Sequence, residues 1–134
     1  MTKLPTEIKT AFNCIRLFPF ATSSSSGIPN VVPVKFIFIE NDNELWFVDN
    51  FMLKTLENMA QNPRASLYVY DTEKSICCQI KGTIRIQTSG ENYDRMKKNV
   101  HTLLPEAPAK SLVILNITEI YQCIPGGDAG KRIH

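Results

Sequence analysis

From Ser75 to Thr88 the chain alternates without a break. Ile76, Cys78, Ile80, Gly82, Ile84 and Ile86 share one side, and Cys77, Gln79, Lys81, Thr83, Arg85 and Gln87 share the other. A period of two places successive side chains on opposite faces of a pleated strand, so one of these faces belongs in a core. The expected element is a long strand. On it Cys78 is a core residue and Cys77 lies on the accessible face.

Further strands follow from composition and punctuation. Ile15 to Thr22 is apolar and β-prone, with Pro19 marking an edge or a bend. Ser23 to Gly27 is a turn. Asn30 to Glu40 carries VVPVKFIFI, apolar on both faces and so expected as one long strand buried between layers or in a barrel wall. Pro33 cannot donate to a ladder, so this strand must bulge or lose a neighbour there. Asn41 to Asn43 turns the chain and Glu44 to Asp49 pairs back as a hairpin. Ala65 to Asp71 and Leu112 to Ile124 complete the strands.

Pro5 to Asn13 predicts a short helix capped by Thr6, and Gly90 to Leu104 a second helix ended by Pro105. The Gly-rich stretch from Pro125 to His134 is either a mobile arm or an ordered wrap over a partner. Six strands joined largely by hairpin-length turns, with helices between them, predict a mainly β fold. The architecture expected is a small closed or partly closed barrel in a single domain over residues 1–134.

A helix also falls between two strands, in WFVDNFMLKTLENMAQNPRASLYVY, residues 46–70. Asp49-Asn50 breaks the first strand. Leu53, Leu56, Met59 and Ala60 then recur at helical spacing until Asn62-Pro63 stops the pattern. Lys54 and Thr55 occupy the first turn, where unpaired N–H groups and the positive end of the helix dipole favour an anion. An ammonium and a hydroxyl added there make a seat for a phosphate.

Charge excludes some partners. Fifteen basic and thirteen acidic side chains leave a net charge of +2, with no long basic run to track a nucleic-acid backbone. No secretory signal and no apolar run of membrane-spanning length is expected, which gives a cytoplasmic reading without membrane association. Cys14, Cys77, Cys78 and Cys123 lack the paired spacing of a metal site and read as reduced thiols. No acid–base pair or nucleophile triad stands out, so no catalytic residue is assigned.

Taken in order, IPNVVPVKFIF, a hairpin turn, ELWFVDN, LKTLENMAQNPRASLYVYD and IKGTIRI resemble the flavin-binding split-barrel family. That family includes pyridoxamine 5′-phosphate oxidases, small FMN-binding proteins and nitroimidazole-reductase-like proteins. The resemblance implies a six-stranded split barrel forming a homodimer, with FMN in clefts at the interface. It implies that Lys54 and Thr55 hold the FMN phosphate. Val32, Pro33, Val34 and Lys35 would run beside the isoalloxazine ring, and Val48, Asp49 and Asn50 would flank the ring and ribityl chain. Cys77 falls where the oxidases carry a flavin-contacting glutamine.

The chain stops at GGDAGKRIH, without the Arg- and His-bearing segment that grips substrate phosphate in the vitamin oxidases. A true pyridoxamine phosphate oxidase is therefore not expected. The expected activity is electron transfer to a small organic acceptor through the flavin, which carries the redox chemistry itself. The alternatives are a non-catalytic FMN-binding protein that stores flavin or relays electrons, or a cleft that takes deazaflavin F420 or haem.

Overall fold

The computed structural model describes residues 2–134. Its elements, in chain order, are α1 (Thr6–Phe12), β1 (Phe18–Ser23), β2 (Pro29–Val34), β3 (Ile37–Asn41), β4 (Glu44–Asp49), α2 (Lys54–Gln61), β5 (Arg64–Asp71), β6 (Ile76–Gln87), α3 (Glu91–Leu103) and β7 (Ser111–Gln122). All seven strands form one antiparallel sheet in the order β2-β1-β5-β6-β7-β4-β3.

This order settles the shape of the sheet. β2 and β3 lie at opposite edges, yet only Lys35 and Phe36 separate them. Laid flat, seven strands would hold their outer members roughly 28 Å apart, whereas three Cα steps span at most roughly 11 Å. The sheet must therefore curl until its edges approach. No ladder joins β2 to β3, so the curled sheet stays open along that seam.

The seam corrects the sequence reading of Asn30 to Glu40. There are seven strands where six are expected, because the apolar run divides into β2 and β3 at Lys35-Phe36. Nor is the run buried on both faces, since Val31 on β2 is 66% exposed. The missing N–H of Pro33 is accommodated by the edge position. Pro33 lies directly opposite Pro19 on β1. Antiparallel partners alternate between hydrogen-bonded and non-hydrogen-bonded pairs, and two prolines can face each other only in the second kind. Each ring nitrogen then turns away from the other strand. That of Pro19 turns toward β5, whose ladder with β1 covers only Phe20 and Ala21, and that of Pro33 toward the open seam.

Inside the curl, Phe18, Phe20, Leu45, Phe47, Leu67, Ile80 and Leu115 form the core, which is continuous with Leu4, with Ile8, Ala11 and Phe12 of α1 and with Met59 of α2. Phe20 and Phe47 meet edge to face at 4.8 Å between ring centroids, an orientation that suits their quadrupoles. α3 covers the outer side of β4 and β7, where Met96 and Val100 pack on Trp46, Val48, Leu112 and Ile114. This explains why β4 and β7 are apolar on both faces while β6 alternates. Thr6 is the first residue of α1 rather than its cap, for Pro5 holds the cap position and no side chain bonds there.

β6 behaves as its pattern requires, with Cys78, Ile80 and Ile84 turned into the core. Between Lys81 and Gly82 its register with β7 shifts. A Cβ on Gly82 would lie 2.2 Å from the Asn116 carbonyl oxygen, so only glycine lets the two backbones approach there. The stretch from Pro125 to His134 folds back on its own sheet. Tyr121 bridges to Arg132, and the Ile133 N–H donates to the Ile120 carbonyl at 2.7 Å.

Burial pushes the Cys78 thiol up from 9.0 to about 12, helped by Cys123 and Cys77 nearby. Between those values the folded chain holds a proton that the unfolded chain releases, so stability is intact below pH 9.0 and falls as pH rises toward about 12. Cys78→Ala is expected to lose stability less steeply over that window, measured as urea midpoints at successive pH values. An unchanged slope would remove Cys78 as a source of the alkaline loss. Among the described residues, no helix is long and apolar enough to cross a membrane.

Candidate functional site

Beside the open seam lies a cleft of about 560 Å³. One wall is β2 with the link that follows it, contributing Asn30, Val32, Pro33, Val34, Lys35 and Phe36. The other is built from Val48 at the end of β4, the loop residues Asn50, Phe51, Met52 and Leu53, and the start of α2 with Lys54 and Thr55. Leu104, just beyond α3, also reaches it.

The loop is held by buried polar contacts. Asp49, 1% exposed, accepts the Met52 N–H at 2.9 Å through Oδ1 and the Ser111 hydroxyl at 3.3 Å through Oδ2. Lys110 Nζ stands 3.7 Å from the same carboxylate, and the Lys110 N–H donates to the Asp49 carbonyl at 2.8 Å. Asn50 Oδ1 accepts the Ala109 N–H at 2.9 Å. Residues 49–52 are thus tied to residues 109–111, which sets where α2 begins.

Leu53 takes the cap position of α2 and no side chain bonds to the exposed end. The first N–H groups of the helix therefore lack an intrahelical acceptor. Thr55 is buried and accepts a hydrogen bond from Asn30 Nδ2 at 2.9 Å. Asn30 Nδ2 also donates to Thr22 Oγ1 at 3.2 Å, as does Asn58 Nδ2 at 3.1 Å. This network ties α2 to β1 and β2, so the helix end and the cleft wall move together. Leu53 and Ala60, part of the helical spacing in the sequence, face outward, while Thr55 and Met59 are the buried residues of α2.

The cleft lining carries two kinds of chemistry. Lys54 and Lys35 line it, no carboxylate does, and neither lysine forms an ion pair among the described residues. With the open helix end, Lys54 makes one region suited to an anion. Val32, Pro33, Val34, Phe36, Val48 and Met52 supply apolar walls suited to a flat ring.

Of the residues singled out from sequence, Val32, Pro33, Val34, Lys35, Val48, Asn50, Lys54 and Thr55 meet at this cleft. Asp49 does not line it but lies beneath the loop. Cys77 is on β6, which does not border the cleft. The expectation that Cys77 is accessible is overturned, since it is 6% exposed. The Tyr68 hydroxyl lies 3.1 Å from its sulfur. That contact, with burial, raises the Tyr68 hydroxyl well above the ordinary phenol range. Asn30, Phe36, Phe51, Met52, Leu53 and Leu104 are lining residues that sequence reasoning missed. Only tertiary placement brings them to the cleft.

A family model described as pyridoxamine 5′-phosphate oxidase matches residues 4–124. An uncharacterized protein of Methanocaldococcus jannaschii is 36% identical over 115 residues, covering 84% of this chain and 76% of its own. Among solved structures, HupZ of Group A Streptococcus superposes with a TM-score of 0.82 at 25% identity, over 95% of this chain and 99% of that one. An FMN-binding protein from Syntrophomonas wolfei gives a TM-score of 0.68 at 15% identity, over 84% and 81% of the two chains. The fold is shared as well by HutZ, the haem-storage protein of Vibrio cholerae (TM-score 0.69, 14% identity, 90% and 95% covered), and by an F420 reductase (0.68, 15%, 87% and 98%).

Proposed function

Because the chain belongs to the pyridoxamine 5′-phosphate oxidase family, we propose that its cleft holds FMN and that the protein transfers electrons to a small organic acceptor. The observation that carries this reading is the pairing, in one cleft, of uncompensated Lys54 at an open helix end with apolar walls from β2 and β4.

A phosphate monoester suits the first region, where Lys54, the Thr55 hydroxyl and first-turn N–H groups are the available donors. Charge-assisted hydrogen bonds are roughly twice as strong as neutral ones. The ring system suits the second, against Val32, Pro33, Val34 and Val48, with Lys35 and Asn50 beside it. Bound FMN supplies hydride and one-electron chemistry. The chain's own residues bind it, orient it and exclude water from its faces.

In this reading two copies of the chain close the cleft. Phe51 is 84% exposed and Leu53 74% exposed at its mouth, apolar surface that a second copy would remove from water.

The purified protein reconstituted with FMN is expected to retain the cofactor through gel filtration, with the two-banded flavin spectrum, and to sediment as a dimer at micromolar concentration. A Soret band from haem, selective retention of deazaflavin F420, or a monomer that keeps bound flavin would overturn the corresponding part of the reading. Reduction by a nicotinamide followed by turnover of a quinone or nitroaromatic acceptor separates an oxidoreductase from a flavin store.

A further inference from the structure

Away from the cleft, β6 and β7 bring two thiols opposite each other. Their ladder pairs Cys78 with Gln122, and the Cys123 N–H donates to the Cys77 carbonyl at 2.8 Å. Cys77 and Cys123 therefore lie opposite each other one step beyond the last pair of the ladder, joined by that single bond. Directly opposed residues project to the same face of a sheet. In a regular ladder such opposed Cα atoms lie about 5.5 Å apart, inside the roughly 4.4–6.8 Å that a disulfide spans. Closing the link draws Cβ atoms that start about 4.5–5.5 Å apart to about 3.5–4.5 Å, a movement for which Cys123, past the end of β7, has room. Cys123 is partly exposed, whereas Cys77 is buried with its sulfur against the Tyr68 hydroxyl. The other two cysteines are differently placed, with Cys78 in the core and Cys14 exposed after α1.

We propose that Cys77 and Cys123 form a reversible cross-strand disulfide by exchange with a small-molecule disulfide. Cys123, the accessible member, attacks first as its thiolate. The small disulfide's S–S bond breaks, a mixed disulfide forms on Cys123, and one small thiolate leaves and takes up a proton. Cys77, deprotonated in turn, attacks the Cys123 sulfur and expels the second small thiol. The two protein thiols lose two electrons and two protons, and the small disulfide gains them as two thiols. Burial and Cys77 hold the Cys123 thiol above its ordinary range, so the first attack quickens as pH rises, by about tenfold per unit. The link also removes the thiol that Tyr68 contacts, so Tyr68 ionises at lower pH in the oxidised protein. This modification is independent of any cofactor in the cleft.

The test uses the full chain incubated with oxidised glutathione, alkylated and digested with trypsin. The expected product joins the peptide Ser75–Lys81 to Ser111–Lys131, is lighter than the two reduced peptides by two hydrogens, and separates on reduction. Cys78→Ala should keep the link, while Cys77→Ser and Cys123→Ser should each abolish it. Ultraviolet titration should show one tyrosine ionising earlier in the oxidised protein. A link that survives Cys77→Ser overturns the proposal. So does a Cys123 that remains free, or carries only glutathione, under conditions that modify Cys14.

Discussion

Gly82→Ala is expected to destabilise the fold by about 3 kcal/mol or more, the range reached when an added methyl meets atoms that cannot move aside. The obstacle is main chain. The new Cβ would lie 2.2 Å from the Asn116 carbonyl oxygen and 2.9 Å from its carbon. Relief requires β6 and β7 to separate where their register already shifts. Urea unfolding should show the midpoint falling by roughly 2 M for a chain of this size. Gly127→Ala is the control, because a Cβ there meets nothing within 4 Å and the change should be nearly neutral. Equal midpoints for the two variants would mean that the strands do not approach as described.

Riboflavin is expected to bind the cleft at least about 100-fold more weakly than FMN. The two differ only in the phosphate, and two hydrogen bonds to a charged group at about 1.5–3 kcal/mol each amount to that ratio or more. Lys54→Ala should weaken FMN about tenfold, a modest figure because Lys54 is solvent-exposed and its charge is screened. The same variant should leave riboflavin affinity unchanged, since riboflavin has nothing for the ammonium to hold. Flavin fluorescence titration measures all four affinities. Equal affinity for riboflavin and FMN would place the anionic end of the ligand somewhere other than the start of α2.

What the sequence could reveal depended on whether the cause was local. The alternation of β6 is local, and Ile80 and Ile84 sit in the core with Ile76 and Ile86 packed against it from the same face. The break before α2 is local too, since Asp49-Asn50 ends a strand and Lys54-Thr55 opens a helix, and both lysine and threonine lie in the cleft. The division of Asn30 to Glu40 is not local. Lys35-Phe36 has no turn chemistry, and the chain changes direction there because β2 and β3 must reach opposite edges of one sheet. Cys77 shows the same limit, because a period of two assigns it a face but cannot show that Tyr68 covers that face. Asn30 gave no sign of its part in positioning Thr55, which arises from β2 passing beneath α2.

The prolines of β2 have a consequence for how the chain behaves in company. Because Pro33 sits in a non-hydrogen-bonded pair, so do Val31 and Pro29, and the main-chain groups of these three residues point off the sheet. Two of the three have no proton to offer, leaving Val31 as the single outward donor. A foreign strand trying to dock on this border would find carbonyls but almost no matching amides, so a rim with hydrophobic side chains in plain view resists growing into a fibre.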